Sequence, residues 1–314
     1  MALKAPLPVR DGVGPTRLRV PRTGPWASIA DYVADRFSHI DRAVLDDRFA
    51  RGEVVGLGGV EVSLSTPLGA TDFIWYYREP PVEPDIPFVE EIVHHDDDLV
   101  VIDKPHFLPT TPGGSFLQSS ALVRLRRRLD NPELTPIHRL DRATAGILMF
   151  SARPDTRGAY QTLFADRAVS KVYEAVSGVP DEGVPPLPTT VRSHLTSARG
   201  TLRAIEDLER DPNSETGVEL LSRGPSTGWH LGREVVHTLL RPHTGRMHQL
   251  RAHLASIGLG ILNDRFYPTL EDESPDDYDR PLQLLAREIA FVDPLTGHQR
   301  SFTTRLRLRE APGG

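Results

Sequence analysis

The sequence contains no cysteine in its 314 residues. Disulfide bonds, thiol nucleophiles, cysteine-ligated zinc and iron–sulfur clusters are therefore excluded. It also has no apolar run near the roughly 20 residues that a helix needs to span a bilayer, and its first residues lack the apolar stretch of a secretory signal. We therefore expect a cytoplasmic protein with no membrane partner. Neither GxxxxGK nor GxGxxG occurs, so a nucleotide cofactor has no support.

Positive charge is also in short supply, because 37 Lys and Arg face 43 Asp and Glu and leave a formal net charge of −6. A chain that binds nucleic acid is more often basic overall. The arginines are concentrated in a few segments, however, and a polyanion needs only a positive contact face. The densest clusters are Arg124, Arg126, Arg127, Arg128, Arg139 and Arg142; Arg241, Arg246 and Arg251; and Arg305, Arg307 and Arg309. Each cluster alone is equally consistent with a solvated surface.

Prolines concentrate in residues 79–87, which we interpret as a linker between two domains. We predict an N-terminal arm and a small domain over residues 1–85, followed by a larger domain over residues 86–314. In the larger domain, segments typical of strands and of helices mix without strict β-α-β alternation. This mixture predicts an α+β fold with a small N-terminal α/β appendage.

The N-terminal region is expected to begin with a poorly ordered arm, residues 10–24, which is rich in proline, glycine and arginine. Apolar residues at helical spacing predict helices over residues 28–37 and 41–50, and Ser28 is expected to cap the first helix. Residues 54–65 are interrupted by glycine turns and are interpreted as short strands.

In the larger domain, the spacing of apolar residues predicts three helices and several strands. The helices are expected over residues 120–129, 158–166 and 246–257. The strands are expected over residues 99–102, 146–151 and 171–178, at several places within 189–241, and over 289–292 and 301–309.

A carboxylate lies between two arginines in the segment HRLDRATAG. Arg139 and Arg142 flank Asp141 closely, and flanking cations favour the ionised form of a carboxylate. An ionised, well-positioned aspartate can act as a nucleophile or a base. Small residues follow it and would let a ligand or a backbone approach closely. A structural ion pair in a turn is the alternative and, on this segment alone, the more common case.

A second polar segment, RPHTGRMHQLRAH, enters a predicted helix. Arg246, Gln249 and His253 would lie on one helical face, rich in donors suited to a phosphate, a carboxylate or a base edge. A solvated helix face is an equally good reading. A zinc site of His243, His248 and His253 is a weaker alternative, because a five-residue spacing rotates successive ligands apart.

A third segment, KVYEA, is predicted to be a strand with Lys171, Tyr173 and Ala175 on one face. An aromatic ring beside a cation can stack on a nucleic-acid base. A tyrosine whose ring belongs to the core is the alternative.

In this order, the segments resemble the RluA-type family of pseudouridine synthases. The family pattern is Asp-Lys-Pro, then His-Arg-Leu-Asp before small residues, then Lys-x-Tyr-x-Ala, then Thr-Gly-Arg-x-His-Gln-Leu-Arg-x-His. The chain has these motifs at residues 103–105, 138–141, 171–175 and 244–253. Four ordered motifs are far more specific than any one of them.

The resemblance implies an enzyme that isomerises uridine to pseudouridine in ribosomal or transfer RNA, acting on a base flipped out of its stack. It implies a central mixed, mainly antiparallel sheet with flanking helices. It requires no metal, nucleotide or redox cofactor, and we expect a monomer. A non-catalytic RNA-binding protein on the same fold is the main alternative, and a metal-dependent hydrolase that uses the three histidines is another.

The resemblance also assigns roles to individual residues. Asp141 matches the catalytic aspartate, and Arg246 matches the basic residue that pairs with it. Tyr173 matches the tyrosine that stacks on the target base, and Arg139 matches the arginine that fills the gap left by that base. Further RNA contacts are expected from Arg142, Lys171, His243, Gln249 and Arg251.

Two other segments bear on the resemblance. Residues 26–62 resemble a small RNA-binding fold found in one small-subunit ribosomal protein and often attached to these enzymes; its arginines are Arg36, Arg42, Arg48 and Arg51. Asn263 and Asp264 stand where the family usually has Gly-Asp, and we expect a structural role there.

Overall fold

The computed structural model describes residue 3 and residues 5–79, 82–198, 200–207 and 209–313. The chain forms two compact units. The first unit takes in the described residues up to Glu83, with Gly114–Gln118 and Val123–Pro132. The second unit takes in Pro84–Gly113, Ser119–Leu122 and the described residues from Glu133 onward. Two segments beyond the predicted boundary at residue 85 therefore belong to the first unit.

Strands outnumber helices in the described chain. The helices are α1 (Ile29–Arg36), α2 (Arg42–Ala50), α3 (Ala121–Arg128), α4 (Pro154–Ala165) and α5 (Gln249–Ser256). The strands are β1 (Thr16–Arg19), β2 (Phe73–Tyr76), β3 (Glu91–His95), β4 (Leu99–Lys104), β5 (Thr135–Pro136), β6 (Ala145–Ser151), β7 (Val169–Gly178), β8 (Thr189–Thr196), β9 (Ile205–Asp207), β10 (Ser214–Pro225), β11 (Glu234–Pro242), β12 (Leu284–Val292) and β13 (Gln299–Thr303). Among the described residues, no helix has the length and apolar character needed to cross a membrane.

In the first unit, α1 and α2 pack together, and β1 pairs antiparallel with β2. The helices and β2 share one buried core of Ile29, Val33, Leu45, Phe49 and Ile74. The Ser28 side chain caps α1 by accepting a hydrogen bond from the backbone nitrogen of Asp31 at 3.1 Å. Both predicted helices and the predicted cap are therefore confirmed.

The N-terminal arm is not the poorly ordered segment that composition suggests over residues 10–24, because β1 lies within it. Leu18 packs against the core of the first unit, while Arg17 and Arg19 are exposed on the opposite side of the strand. The strand is stabilised by pairing with β2, far along the chain. Local composition contains no sign of that distant partner.

The short strands expected over residues 54–65 are also wrong. Val55 forms isolated bridges with Glu61 and with Trp75 rather than a continuous ladder. A 3₁₀ turn occupies Leu57–Gly59. The glycines of this segment therefore serve tight turns, and the real partner of β1 is the apolar strand β2, which the sequence reading missed.

The second unit is built on a sheet in the order β3-β4-β6-β12-β7-β11-β10-β8-β9, with β13 on β12 and β5 on β6. The pairs are antiparallel except β6 with β12, which run parallel. Every residue of β4 and β6 is buried, as expected for strands covered on both faces. Helix α4 packs against β6, and α5 packs against β8 and β10. The predicted mixed, mainly antiparallel sheet with flanking helices is confirmed.

Two predicted helices begin at other residues than expected. Helix α4 begins at Pro154, since proline suits the first position of a helix, where its missing N–H is not needed. Helix α5 begins at Gln249 rather than at residue 246. The preceding residue, His248, has a left-handed backbone with φ of 52° and cannot belong to the helix.

The strand predicted over residues 301–309 ends early. Strand β13 stops at Thr303. The Thr304 hydroxyl and the Arg305 backbone nitrogen both donate to the carboxylate of Asp103 and so turn the chain away from the ladder. The three arginines of this segment are exposed, but they do not form the face of one strand.

Gly146 lets the parallel pair of β6 and β12 form. It lies opposite Ala286 and has a φ of 112°. A Cβ at this position would overlap the carbonyl oxygen of Ala286 and lie 2.7 Å from its backbone nitrogen. The small residues after Asp141 therefore have a structural cause: they bring the end of its loop against β12.

We expect Gly146→Ala to lower the free energy of unfolding by about 3 kcal/mol, because the added methyl meets backbone atoms at a φ value that disfavours any side chain. Gly158→Ala in α4 is the matched control. No atom lies within 4 Å of its added Cβ, and alanine in a helix stabilises it by about 0.5–1 kcal/mol. Urea unfolding measures both changes. Equal midpoints for Gly146→Ala and wild type would contradict the close approach of the two strands.

Candidate active site

A cavity of about 610 Å³ opens in the second unit between the loop before β6, strand β7 and the turn from β11 into α5. It contains most of the residues singled out from the sequence. Its lining includes Arg139, Asp141, Lys171, Tyr173, His243, Arg246, Gln249 and Arg251. Arg142 is not part of this lining. The fold thus gathers motifs that are more than 100 residues apart.

The Asp141 carboxylate is one-third exposed, and two groups lie near its Oδ2 atom. Arg251 places Nη1 at 3.6 Å, and His248 places Nε2 at 3.8 Å. The Arg251 side chain is only 4% exposed. A buried guanidinium needs a charged partner, because burying an unpaired charge is strongly unfavourable.

That partner is Asp264, whose side chain is fully buried. Nε and Nη2 of Arg251 donate to the two carboxylate oxygens of Asp264 at 2.8 and 2.6 Å. Asp264 also accepts hydrogen bonds from the backbone nitrogens of Phe266 at 2.9 Å and Tyr267 at 3.2 Å. These contacts hold the Arg251 guanidinium in one position. Its third nitrogen, Nη1, is the one that lies near Asp141.

The ionisation of Arg251 follows from these contacts. Burial acts to lower the pKa of Arg251, but the hydrogen bonds and charge of Asp264 outweigh it, so the pKa is raised. The guanidinium also lies over the rings of Phe266, at 4.9 Å, and Tyr267, at 5.5 Å. It is therefore a permanent, immobile cation beside Asp141.

The cation beside Asp141 is Arg251 and not Arg246, which differs from the pairing that the resemblance implied. Arg246 is exposed and lies before the start of α5. Its Nε donates to the backbone oxygen of Asn213 at 3.4 Å. Among the described residues, no ion pair within 4.0 Å joins Arg246 to Asp141. The reason is the late start of the helix, which turns residue 251 rather than 246 inward.

His248 lies against Asp141 in a strained conformation, with a positive φ that a residue with a side chain seldom adopts. Its ring stacks on Phe266, with centroids 5.5 Å apart, and its Nδ1 lies 3.5 Å from the hydroxyl of Tyr267. Burial lowers the pKa of His248, although the charge of Asp141 acts in the opposite direction. The ring is therefore neutral near pH 7, and the positive charge beside Asp141 comes from Arg251.

Tyr173 lies on β7 between β11 and β12, so the sheet holds its backbone on both sides. Burial, and then the charge of Asp141, raise the pKa of Tyr173 well above its usual range. Lys171, on the same face of the strand, has its pKa lowered by burial and by Arg167. The cavity thus presents a neutral phenol and a partly buried ammonium near the carboxylate.

Two predicted RNA contacts lie at the mouth of the cavity. Arg139 is exposed, and its side chain has no hydrogen bond or ion pair within the described chain. The His243 side chain is 66% exposed, with Nε2 3.8 Å from Oε1 of Glu215. Both groups are therefore available to a ligand that enters the cavity.

Gln249 is a structural residue, and its prediction as an RNA contact is not supported by its position. It is 4% exposed. Its Oε1 accepts from the Thr244 hydroxyl at 2.7 Å and the Arg246 nitrogen at 3.1 Å. Its Nε2 donates to Glu215 O at 3.0 Å and to the Thr216 hydroxyl at 2.9 Å. All its hydrogen-bonding groups are used to fix the turn before α5 onto β10.

The three histidines weighed as zinc ligands lie in different surroundings. His243 is exposed, and His248 faces Asp141. His253 is buried, with Nε2 3.0 Å from the Ser214 hydroxyl and Nδ1 2.9 Å from the Thr216 hydroxyl. Across the described residues, no group of three or more His, Asp or Glu is placed to hold a metal ion.

Sequence reasoning missed two charged residues that support the site. Asp264 was expected only to be structural, yet it orients Arg251. Lys104 is fully buried, and its Nζ donates to the carbonyl oxygens of Pro105 and Leu108, each at 2.9 Å, and Arg142 at 3.3 Å. Burial lowers the pKa of Lys104 to about 7, against the effect of Asp141. The Asp-Lys-Pro motif was the signal for it.

Comparisons with known proteins agree with this geometry. The sequence model of the RNA pseudouridylate synthase family matches residues 98–256 of this chain. An uncharacterized RNA pseudouridine synthase of Synechocystis is 31% identical over 243 residues, which cover 76% of this chain and 78% of the relative. The dual-specificity RNA pseudouridine synthase RluA of Pasteurella multocida is 32% identical and is covered over 94% of its length, against 71% of this chain.

Solved structures show the same fold. Human RNA pseudouridylate synthase domain containing 1 aligns with a TM-score of 0.55 at 24% identity, covering 71% of this chain and 86% of that one. Human RNA pseudouridylate synthase domain containing 4 aligns with a TM-score of 0.51 at 24% identity, covering 69% of this chain and 88% of that one.

The fold is that of a pseudouridine synthase. The chain belongs to the RNA pseudouridylate synthase family, and the RluA-type resemblance is confirmed. It is an RNA-modifying isomerase that converts uridine to pseudouridine.

The buried histidine of α5, His253, makes stability depend on pH. Burial lowers the pKa of His253 to about 4 from an ordinary 6.5. As the pH falls, His253 therefore binds a proton in the unfolded chain before it does so in the folded protein. Its contribution to stability is complete above about pH 6.5 and declines as the pH falls towards 4. One such group changes the free energy of unfolding by at most about 1.4 kcal/mol per pH unit.

We expect His253→Gln to reduce the slope of unfolding free energy against pH between about pH 6.5 and 4, measured by urea unfolding. His243→Gln, at an exposed position, is the control and should leave the slope unchanged. If both variants keep the wild-type slope, the neutral, buried state of His253 is wrong.

Proposed function

We propose that Asp141 is the catalytic carboxylate of this pseudouridine synthase and that Arg251 is its counter-ion. The observation that carries the proposal is the position of Asp141 in a cavity, one-third exposed and 3.6 Å from a cation fixed by Asp264. A carboxylate positioned beside a fixed cation has the surroundings that a nucleophile or base requires.

The reaction breaks the bond between uracil N1 and ribose C1′, rotates the base, and forms a bond between uracil C5 and C1′. The C5 proton must then leave and N1 must gain a proton, so that product and substrate have the same composition. The target base has to be out of its helix, because its reacting atoms are inaccessible in a stack. Three routes remain open for Asp141: attack at C1′, removal of a proton at C2′, or addition to uracil C6. Each of them needs an ionised carboxylate.

Tyr173 and Arg139 are proposed to handle the flipped base. The raised pKa of Tyr173 keeps the phenol neutral at pH 7, which suits a ring that stacks on uracil while it turns. Arg139 is exposed at the mouth, where its planar guanidinium could fill the vacancy in the RNA stack. Filling that vacancy would offset part of the few kcal/mol that unstacking costs.

The remaining cations are proposed to bind the RNA backbone. Lys171, His243 and Arg246 line the cavity, and Arg246 is here assigned to a phosphate rather than to Asp141. Two carboxylates, Asp141 and Asp264, flank the single cation Arg251, and an excess of carboxylates on its own would repel RNA. The surrounding cations offset this charge and attract the polyanion.

We propose ribosomal or transfer RNA as the substrate, supported by the similarity to dual-specificity RluA proteins of two bacteria. We propose that the enzyme acts in the cytoplasm as a monomer, and light scattering of the purified protein measures the latter. The small first unit is proposed to contact RNA through Arg36 of α1 and Arg42 of α2, which are exposed; Arg48 of α2 is buried and is not placed for such a contact.

We expect Asp141→Asn to abolish pseudouridine formation while RNA binding stays within about threefold of wild type, because the change removes charge but little volume. The measurement is a pseudouridine map of total RNA from cells that lack the protein, complemented with wild type or with Asp141→Asn. Sites restored by wild type alone would also identify the substrate. Restoration by Asp141→Asn would eliminate Asp141 as the essential residue, and a map unchanged by loss of the protein would favour a non-catalytic RNA-binding protein.

We expect Arg251→Lys to lower kcat by about 100-fold, because lysine cannot bind Asp264 through two nitrogens and still reach Asp141. Arg246→Lys is the matched variant, with the same change in the same motif. It should alter KM more than kcat, because Arg246 is assigned to a phosphate of the RNA and not to Asp141, and a lysine cannot bind that phosphate through two nitrogens. Single-turnover and steady-state assays on one RNA separate these effects. A larger loss of kcat for Arg246→Lys would restore Arg246 as the partner of Asp141.

A further inference from the structure

Arg142 directly follows Asp141, yet it does not line the cavity. It donates two hydrogen bonds to Asp276, from Nη1 to Oδ2 at 2.7 Å and from Nη2 to Oδ1 at 2.6 Å. The Arg142 side chain is 36% exposed and that of Asp276 is 16% exposed. This fork-to-fork geometry is the one by which an arginine also binds a phosphate. The group expected to contact RNA is therefore engaged by a carboxylate of its own chain.

Asp276 belongs to a segment of unusual charge, residues 271–279, here called the acidic segment. It contains six carboxylates and no Lys or Arg. That number equals the whole net charge of the chain, so the other 37 acidic residues are balanced by 37 Lys and Arg. The net charge of the protein therefore equals the charge of the acidic segment, and this segment contacts Arg142 through Asp276.

A second arginine fixes the other half of the acidic segment. Arg265, which directly follows Asp264, donates to the backbone oxygens of Asp272 at 2.9 Å and Ser274 at 2.8 Å. At the far end, the Tyr278 hydroxyl donates to the backbone oxygen of Asp85 at 2.8 Å. The ion pair of Arg142 with Asp276 is therefore a positioned contact within an anchored segment, rather than a chance pairing of two mobile side chains.

We propose that Asp276 is a specificity-determining residue: it occupies Arg142 in the free enzyme, and an RNA phosphate has to displace it before Arg142 contributes to binding. This inference deepens the proposed function, on which it rests, by naming a regulation of the same site. An RNA that holds a phosphate firmly at Arg142 compensates for the lost ion pair. A flexible RNA, in which no phosphate is held at Arg142, does not compensate for the lost ion pair and binds more weakly.

The physical consequence lies in affinity for unselected RNA. While Asp276 stays on Arg142, one phosphate contact is missing and a nearby negative charge repels the strand. Removing that charge takes away the carboxylate that competes with a phosphate for Arg142, while the hydrogen bond from its Nη1 to the backbone oxygen of Phe107, at 3.4 Å, can remain. One added contact with single-stranded RNA should increase the slope of log Kd against log salt by about 0.7.

The test is a set of four variants bound to a fluorescently labelled 20-nucleotide oligouridylate, with anisotropy measured at several salt concentrations. We expect Asp276→Asn to bind about 5- to 10-fold more tightly than wild type at low salt, with the steeper slope given above. Glu273→Gln removes the same charge from the same segment, but no hydrogen bond or ion pair joins its side chain to Arg142. It should change Kd by less than about twofold.

The double variant Asp276→Asn with Arg142→Gln makes the cycle decisive. It should lose the whole gain and return to the affinity of Arg142→Gln alone. An unchanged Kd for Asp276→Asn would overturn the proposal. So would a gain that persists without Arg142, or an equal gain for Glu273→Gln, because either result means general repulsion. Lower turnover and lower thermal stability with unchanged Kd would make Asp276 a structural clamp on the Asp141 loop.

These outcomes are separate from those of the proposed function. A wild-type enzyme that forms no pseudouridine, while the binding cycle behaves as described, would refute the catalytic assignment alone. Normal pseudouridine formation with a flat binding cycle would refute the role of Asp276 alone. Failure of every variant to bind the oligouridylate at low salt would overturn both.

Discussion

The bidentate ion pair between Arg251 and Asp264 is the interaction on which the active site depends. A guanidinium with 4% exposure is tolerable only with a charged partner that satisfies its donors. Asp264 takes two of the three nitrogens and leaves the third near Asp141. The cation beside Asp141 is therefore held in place by Asp264, a fully buried carboxylate that is not part of the cavity lining. Breaking the pair of Arg251 with Asp264 leaves a buried charge without its hydrogen-bonded partner.

The motif that enters α5 shows how one run of polar residues divides its work. Gln249 and His253 are buried and bind β8 and β10 through amides, rings and hydroxyls, so they hold the helix in place. Arg246 and His243 stay exposed at the cavity. Between them, the left-handed backbone of His248 delays the helix and decides which side chains turn inward. Residue type alone does not distinguish a polar side chain that holds the helix from one that can bind a ligand. Burial makes this distinction, because a buried donor is already used within the protein.

An acidic chain that acts on RNA has to separate its charges in space. Cations surround the cavity, whereas the negative excess corresponds to the acidic segment beside Arg142. Because charges in water are screened within about 10 Å, local composition matters more than the net charge. The same arrangement lets an intrachain carboxylate compete with a phosphate for one arginine. Binding then depends less on the total charge of the RNA than on where each phosphate of the bound RNA lies.

Residue type and local periodicity alone were enough to predict the order of the motifs, the α+β class and both helices of the first unit; they also singled out Asp141 and Tyr173, which the structure brings into one cavity. The sequence also marked the small residues after Asp141, and Gly146 shows why they are small. Only the tertiary structure decided that Arg251 is the cation beside Asp141, that Asp264 fixes it and that β1 is ordered. Each of these rests on groups far apart in the chain, and their contact depends on strand pairing and on where a helix starts, which local sequence patterns do not specify.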